Sequence, residues 1–251
     1  MHYNSLKQIA RSCLLGVALA WPSTSRADLT VHSGWDLLAT GSGTTVNWVP
    51  FQGVPLGTFD FGGSIGLQNV GNTDTIIYRP TDTTGSAGGT VAFTAYLAAL
   101  QLRSVSQVSF GGGPLGYYYL TLQSVRGGPA STDTGLMTFN ADPNVGGTFT
   151  DTLDVFFDVR FGSLTGPIVL SDACMLNNAG AAWTHDGSSA PVIDGVNHLL
   201  NGTDTSQDFW PGYIAHSDSL GNIHIIPEPS GLVLFGLGVL ALATKLRRGG
   251  G

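Results

Sequence analysis

The chain has 251 residues and a formal net charge of −7, and its charges are unevenly distributed. Six of the ten Lys and Arg residues lie in the terminal segments, so residues 28–226 contain four Arg against sixteen Asp, a formal charge of −12, with neither Lys nor Glu. A surface this acidic repels nucleic acid and anionic lipid, which excludes those partners, and it would attract divalent cations or a cationic matrix.

The N-terminal segment has the three parts of a secretory signal peptide. A basic start precedes a short apolar run at residues 13–21, and small residues at Ser25 and Ala27 precede a cleavage position. We expect a signal peptidase to cut between Ala27 and Asp28 and so to remove residues 1–27 during export.

The body between the termini has the composition of a β protein. Lys and Glu, two of the best surface helix formers, are missing, while Gly, Thr, Ser and Val are abundant. In residues 153–161, apolar residues such as Leu153 and Phe157 alternate with mainly charged ones such as Asp154, which predicts a strand with one face on a core. Similar runs predict further strands at residues 45–51, 74–79, 90–96, 101–110, 117–125, 136–140 and 167–170.

Gly-rich turns between these short strands favour a single antiparallel β-sandwich domain, with a closed barrel as the alternative. The length of the body suits one sizeable core and does not require two. We place the domain at residues 28–222 and a linker at residues 223–226. No stretch of the body has a helical period and no repeat of fixed length is present, which argues against a solenoid or a propeller.

The candidate catalytic patterns of the body are incomplete, so we expect a protein that is not an enzyme. Ser64 lies in a G-x-S-x-G pattern, but the residues after it do not begin the helix that a serine-hydrolase elbow needs. The G-x-G-x-x-G pattern at residues 111–116 runs into a predicted strand rather than a helix. Asp154 and Asp158 would lie about 13 Å apart along one strand, too far for a glycosidase pair, so we expect them to be solvated.

The cysteine and the histidines show no spacing typical of a catalytic or metal site. Cys174 is the only Cys left after removal of the signal peptide, so it has no disulfide partner, and its apolar neighbours predict a small buried hydrophobe. His185, His198, His216 and His224 lack the spacing of a zinc motif such as H-E-x-x-H, and each lies near turn residues.

Calcium is the strongest cofactor candidate. Asp142 and Asn144 place oxygen ligands at the first and third positions of a loop that has Gly at its sixth, and Asp151 can add a carboxylate. The twelfth position, where an EF-hand has a bidentate Glu, is Leu153, so the loop is not an EF-hand. The alternative is an Asp- and Asn-containing turn between strands, in which case the protein has no cofactor.

Aromatic side chains on the surface would provide a platform for sugar rings, and core packing is the alternative. In a strand, Tyr118 must face opposite to Tyr117 and Tyr119, so at least one side of that run is expected in the core. The other large aromatic residues of the body are Trp35, Trp48, Trp183 and Trp210.

The C-terminal segment contains three features in a fixed order. The motif Pro227-Glu228-Pro229 precedes an apolar run at residues 231–244, and a basic end follows, formed by Lys245, Arg247 and Arg248. An apolar run of this kind inserts into a membrane and leaves its basic end on the cytoplasmic side. The two prolines keep the motif extended and open to a partner. Because the run is shorter than the roughly 20 residues that span a bilayer, an ordinary short anchor is the alternative to a sorting signal.

This order of motif, apolar helix and basic cluster closely resembles the PEP-CTERM sorting domain of Gram-negative bacteria that make exopolysaccharide. The resemblance covers residues 227–251, about the last tenth of the chain. It implies that an exosortase-type membrane enzyme recognises the tail. It also implies export through the inner membrane to the cell envelope or extracellular matrix, with the transmembrane sorting helix as a transient anchor. The body resembles no characterised enzyme family.

We therefore expect an exported, non-enzymatic structural or adhesive protein of the envelope or the exopolysaccharide. Its partners would be signal peptidase, the exosortase-type enzyme and exopolysaccharide. The alternative is a glycan-binding or glycan-processing protein of the matrix. Exposed carboxylates and an aromatic strip that converge in one groove would favour that alternative.

Overall fold

The structure, a computed structural model, describes residues 30–142, 145–185, 199–200, 203–204 and 209–226. These residues form an all-β, antiparallel structure, as the sequence predicts. Two short 3₁₀ helices, Phe110–Gly112 and Gln123–Arg126, lie between strands. No helix within the described ranges is long and apolar enough to cross a membrane. The predicted signal peptide and the predicted sorting tail lie outside those ranges.

In chain order the strands are β1 (Thr30–Val31), β2 (Gly34–Leu38), β3 (Thr45–Val46), β4 (Val49–Gly53), β5 (Gly57–Asp60), β6 (Leu67–Gly71), β7 (Thr75–Arg79), β8 (Thr83–Thr84), β9 (Thr90–Ser104), β10 (Val108–Ser109), β11 (Leu115–Gly116), β12 (Tyr118–Leu122), β13 (Ser131–Phe139), β14 (Gly147–Phe161), β15 (Ile168–Thr184), β16 (Leu199–Leu200), β17 (Thr203–Asp204), β18 (Trp210–Pro211), β19 (Ile214–Ser217) and β20 (Ile223–Ile226). The strands predicted at residues 90–96 and 101–110 are mainly one strand, β9, because the run between them continues without a turn.

Eight strand positions close into a barrel-like sheet. β9 and β14 are long enough that two shorter strands, β13 and β12, lie end to end between them. From the other edge of β14, the pairings continue through β15, β19, β20, β3 and β4 back to β9. The main sheet is therefore the closed alternative rather than two separate sheets. The register shifts between β14 and β15 supply bends of the kind that closure requires.

The hairpin formed by β19 and β20 completes the ring through two short seams. β19 pairs with β15 at a single register position, Asn177 with Ser217. β20 pairs with β3 at a single position, Ile223 with Thr45. Few ladder hydrogen bonds are available at either seam, so other contacts must hold the hairpin in place.

Contacts outside the ladder strengthen the seam between β20 and β3. The Gly41 N–H donates to the Ile225 carbonyl oxygen at 2.7 Å, and the Ile225 N–H donates to Thr44 Oγ1 at 3.1 Å. The Asn47 N–H donates to Asn222 Oδ1 at 2.9 Å. These bonds connect the turn of the hairpin to the segment around β3.

The hairpin also corrects the predicted domain boundary. Residues 223–226, which we expected to be a linker, form β20, and the side chains of His224 and Ile226 are buried. Four residues before a proline are too short a run to predict a strand from sequence. The strand forms because β19 supplies its backbone partners and the interior accommodates its side chains.

Apolar side chains fill the ring in two clusters and pack beside β2 and β7 in a third. Tyr118 is fully buried and Tyr117 is 37% exposed, which confirms that neighbouring tyrosines face opposite sides. The clusters are centred on Tyr118 and Leu102 in the first, Phe139 and Trp183 in the second, and Val70 and Ile76 in the third.

The strand at residues 153–161 has the predicted apolar face, but the prediction that Asp158 is solvated is wrong. Asp158 is fully buried and pairs with Arg126, whose Nε lies 2.6 Å from Asp158 Oδ2. Ser171 Oγ donates to Asp158 Oδ1 at 2.7 Å. The Arg126 guanidinium, ahead of a smaller opposing effect of burial, lowers the pKa of Asp158 from its ordinary value.

Candidate functional site

Four titratable side chains from different strands meet inside the ring. Asp133 lies on β13, Asp151 on β14, His216 on β19 and His224 on β20. All four line one interior cavity. Their positions follow from the two-residue period of strands, because their sequence neighbours on each strand face the other side. We call this group the carboxyl–histidine cluster.

The contact between Asp151 and His216 joins the hairpin to β14, the strand on the other side of β15. His216 Nε2 donates to Asp151 Oδ1 at 2.8 Å, and both side chains are almost fully enclosed. Charge-assisted hydrogen bonds of this kind are stronger than neutral ones, particularly away from water. The bond therefore holds β19 and β14 together on the inner side of the sheet. It supplements the pairing of β19 with β15, which has a single register position.

Asp133 lies beside Asp151, and the charge of Asp151 affects the ionisation of Asp133. Burial raises the pKa of Asp133 well above its ordinary value, and the charge of Asp151 and a hydrogen bond between the two side chains raise it further. Two adjacent carboxyl groups in an apolar interior resist double ionisation. Asp133 therefore holds a proton more readily than an exposed Asp does.

His224 is buried beside His216. Its ring stacks on that of His216 with centroids 6.5 Å apart, and its Nε2 lies 3.4 Å from Thr40 Oγ1. Burial, followed by the nearby His216, lowers the pKa of His224 to about 3. His224 is therefore neutral at neutral pH, and protonating it requires strongly acidic conditions.

A buried ion pair closes another part of the cavity wall. Arg79 Nε lies 2.9 Å from Asp36 Oδ2, and both residues are buried. The Arg79 guanidinium also lies over the Phe209 ring, with its carbon 5.2 Å from the ring centre. The charge of Asp36 is therefore matched by a permanent cation, unlike the charge on Asp133 and Asp151.

The cavity has a volume of about 40 Å³ and mainly apolar walls. A cavity needs roughly 10–15 Å³ to hold one water molecule, and a cavity that binds benzene has about 150 Å³. The space is therefore too small for a monosaccharide. A glycan-processing site at this pair of carboxyl groups would need a much larger opening.

Three buried polar atoms of the cluster have no hydrogen-bond partner outside the carboxyl pair. They are Asp133 Oδ1, Asp151 Oδ2 and His216 Nδ1. Because His216 donates through Nε2, its neutral form presents Nδ1 as an acceptor. The cluster thus presents acceptors in an enclosed space, where unsatisfied polar groups are costly.

The residues of the predicted calcium loop lie in different environments. Asp142 is exposed, Asp151 is enclosed against His216, and Asn144 lies outside the described residues. Among the residues that the structure describes, no group of three or more His, Cys, Asp or Glu side chains is arranged to hold a metal ion.

The other predicted site residues fall on the tail and the signal peptide. The sorting motif Pro227, Glu228 and Pro229, the basic end Lys245, Arg247 and Arg248, and the cleavage pair Ala27 and Asp28 all lie outside the described part of the chain.

The two candidate nucleophiles are in unsuitable surroundings. Cys174 is partly buried against the first core cluster, and burial, with smaller effects of Asp218, Asp172 and Asp154, raises its pKa to about 12. Its thiol therefore stays protonated. Ser64 is exposed in the turn between β5 and β6, where the elbow of a serine hydrolase would need a strand followed by a helix.

Sequence reasoning treated His216 and His224 only as residues near turns, and it did not single out Asp133 as part of a site. Each histidine lies two residues from a buried Ile on the same strand face, His216 from Ile214 and His224 from Ile226. That two-residue period was the available signal. It predicts a face for each side chain, but not that the face is the interior.

Comparison with known proteins identifies the tail alone. Residues 226–248 match the family model of the PEP-CTERM protein-sorting motif. No curated protein matches the chain, and no solved structure matches it. The chain therefore carries a PEP-CTERM motif, which implies an exported protein that an exosortase-type enzyme sorts.

The pKa of His224 leads to a testable pH dependence. Because its folded-state pKa of about 3 lies below the ordinary 6.5, its contribution to stability is complete above pH 6.5 and is lost as the pH falls towards 3. One proton changes the free energy of unfolding by at most about 1.4 kcal/mol per pH unit. We expect the variant His224→Gln to lose this part of the slope when urea unfolding is measured from pH 7 to pH 3.

The exposed His32 provides the matched control, because its ring is more than half exposed. His32→Gln should leave the slope nearly unchanged. Equal slopes for the wild type and His224→Gln would show that His224 is not held neutral in the folded protein.

Proposed function

We propose that the protein is an exported, non-enzymatic structural or adhesive component of the cell envelope or its exopolysaccharide, placed there by exosortase-dependent sorting. The observation that carries the proposal is the PEP-CTERM motif at residues 226–248. A signal peptidase would remove residues 1–27 during export. The apolar run at residues 231–244 would then anchor the tail transiently, with the basic end on the cytoplasmic side.

The chemistry of the body supports a role without catalysis. Its coupled carboxyl groups face a cavity of about 40 Å³, and its cysteine has a raised pKa. A catalytic acid or base must reach its substrate within hydrogen-bond distance. An enclosed cluster in so small a space serves the stability of the ring better than it serves a reaction.

The position of the motif supports sorting of a folded body. The match begins at Ile226, which is the last residue of β20 and is 6% exposed. No spacer therefore separates the barrel-like sheet from Pro227. A sorting enzyme at the membrane would meet the folded body directly beside its recognition motif.

Sorting is tested by replacing Glu228 and Pro229 with Ala. The double variant keeps residues 231–244 and the basic end, so a passive anchor should localise as before. We expect precursor with an uncut tail in the inner membrane if the motif is recognised. The mass of the intact protein and cell fractionation measure this, in a host with the exosortase-type enzyme and in one without it.

Ser230→Ala is the matched control, since it alters the neighbouring residue and leaves the motif intact. It should be processed like the wild type in the host that has the enzyme. Unchanged mass and location for the double variant in both hosts would contradict sorting and leave an ordinary short anchor.

Glycan binding is the second candidate function, and one surface favours it. The outward positions of β9, β13, β14 and β15 form a continuous exposed face, which we call the threonine face. Row by row across these strands it consists of Tyr96, Thr132, Asp154 and Met175; Thr94, Thr134, Thr152 and Asn177; Ala92, Leu136 and Thr150; and Thr90, Thr138, Thr148 and Ala182.

The threonine face differs in charge from the rest of the body. Asp154 is its only ionisable group besides the Tyr96 hydroxyl, although residues 28–226 carry a formal charge of −12. Its hydroxyl groups lie on neighbouring strands about 4.8 Å apart. A face rich in hydroxyl and methyl groups and poor in charge suits an uncharged, hydroxyl-rich polymer better than an acidic one.

Paired substitutions of opposite charge test this candidate. We expect Thr134→Lys with Thr150→Lys, and Thr134→Glu with Thr150→Glu, to weaken retention on cellulose or dextran by about tenfold each, which is about 1.4 kcal/mol. The reason is that either side chain obstructs the middle of the face. Sedimentation with the insoluble polymer and affinity electrophoresis with the soluble one measure retention.

Thr58→Lys is the control, because Thr58 is also exposed on a strand, β5, but lies off the threonine face. If Lys strengthens and Glu weakens retention on alginate, the partner is an acidic polymer instead. Absence of binding to cellulose, dextran and alginate would remove this second candidate and leave the first in place.

A further inference from the structure

We propose that the interior cavity beside Asp133 and Asp151 is a binding site for a small ammonium-type cation, either ammonium itself or methylammonium. The site consists of the carboxyl pair, with His216 on the same wall. The proposal concerns the body alone and does not depend on how the tail is sorted.

The first argument is charge. Among the groups that line the cavity, Asp36 is neutralised by Arg79, while Asp133 and Asp151 have only the two histidines as titratable neighbours. The remaining Arg residues of the body act elsewhere: Arg126 and Arg160 lie against Asp158, and Arg103 lies over the Tyr117 ring. A buried carboxylate without a matching cation is costly, so the cavity favours a guest that carries a positive charge.

The second argument is hydrogen bonding. Asp133 Oδ1, Asp151 Oδ2 and His216 Nδ1 are buried and have no partner outside the carboxyl pair, and each belongs to a residue more than nine-tenths buried. All three can accept a hydrogen bond when the carboxyl pair is ionised and His216 is neutral. An ammonium group offers only donors, so it complements acceptors without leaving an acceptor of its own unsatisfied.

The third argument is the kind of cation. The described residues provide no group of three metal-ligating side chains in a metal-binding arrangement. A pair of carboxyl groups also supplies too few oxygen ligands for Ca²⁺, which takes roughly six to eight. An N–H donor needs only one acceptor for each hydrogen bond, which the carboxyl oxygens can provide.

The fourth argument is size. A cavity of about 40 Å³ exceeds the roughly 10–15 Å³ that one water molecule requires and is far smaller than the about 150 Å³ of a cavity that binds benzene. Ammonium fits this volume, and the apolar walls formed by Met137, Phe149 and Ile214 can accept one methyl group. A tetramethylated ammonium is too large and has no N–H donor.

Binding would exchange a proton for the cation. In the free protein, burial and the neighbouring Asp151 raise the pKa of Asp133, which favours a proton on Asp133. When ammonium enters, Asp133 releases that proton to solvent and both carboxylates accept hydrogen bonds from the guest. No bond to carbon forms or breaks, and the net charge of the site is unchanged. Binding therefore strengthens as the pH rises from acidic values towards neutral.

The test is thermal unfolding of the full-length protein in mild detergent at fixed ionic strength. Ammonium chloride and methylammonium chloride should each raise Tm above its value in sodium chloride, by about 5 °C at a hundred times Kd. Tetramethylammonium chloride should match sodium chloride. The excess should disappear in the double variant Asp133→Asn and Asp151→Asn.

Asp154→Asn is the matched control, because it removes a carboxylate from the outer face of β14, the strand that carries Asp151. It should keep the ammonium effect. In case the double variant does not fold, ¹⁵N-labelled ammonium provides a second measurement with the wild type. A bound ion should give N–H resonances protected from exchange, which an excess of unlabelled methylammonium removes.

Equal Tm values in ammonium, sodium and tetramethylammonium chloride, without protected ¹⁵N–H resonances, would overturn the proposal. An ammonium effect that persists in a folded Asp133→Asn and Asp151→Asn variant would also overturn it, since the cation would then bind elsewhere.

Discussion

The hairpin of β19 and β20 is the part of the structure on which closure of the main sheet depends. It pairs with its neighbours at one register position on each side, Asn177 with Ser217 and Ile223 with Thr45. The 2.8 Å bond from His216 to Asp151 strengthens the seam beside β15, because it ties β19 to β14, the strand beyond β15, on the enclosed side of the sheet. Burial of Ile214 and Ile226 adds an apolar contribution on the same strands.

Closure has consequences for the rest of the molecule. It buries Asp133 and Asp151, and this burial raises the pKa of Asp133. It also leaves only a small cavity beside the two carboxyl groups. It also brings the folded body up to the sorting motif, because the matched region begins at the last residue of β20. The hairpin therefore contributes His216 and His224 to the interior cluster and ends where the sorting motif begins. The threonine face lies on the outside of the ring and is nearly free of charge.

Much of the fold could be predicted from the sequence, whereas the site could not. Alternation in residues such as Leu153 and Val155 is local, so the strands and their apolar faces were predictable. Closure of the ring depends on pairing between distant segments, as between Ile223 and Thr45, and no local pattern encodes it. Asp158 and Asp151 have the sequence surroundings of solvated residues. Partners distant in sequence, such as Arg126 for Asp158 and His216 for Asp151, make their burial favourable. The tail was predictable because its order of features is contiguous.

Native-state hydrogen exchange of the hairpin, followed by mass spectrometry, is the most direct measurement of whether residues 214–226 close the ring. If they do, peptides covering Ile214–Ser217 and Ile223–Ile226 should exchange within about tenfold of the rate of peptides from β14, a difference of about 1.4 kcal/mol. Both segments should lose that protection together when His216 is replaced by Ala. Exchange of residues 223–226 within seconds in the wild type, as in an exposed linker, would contradict the account.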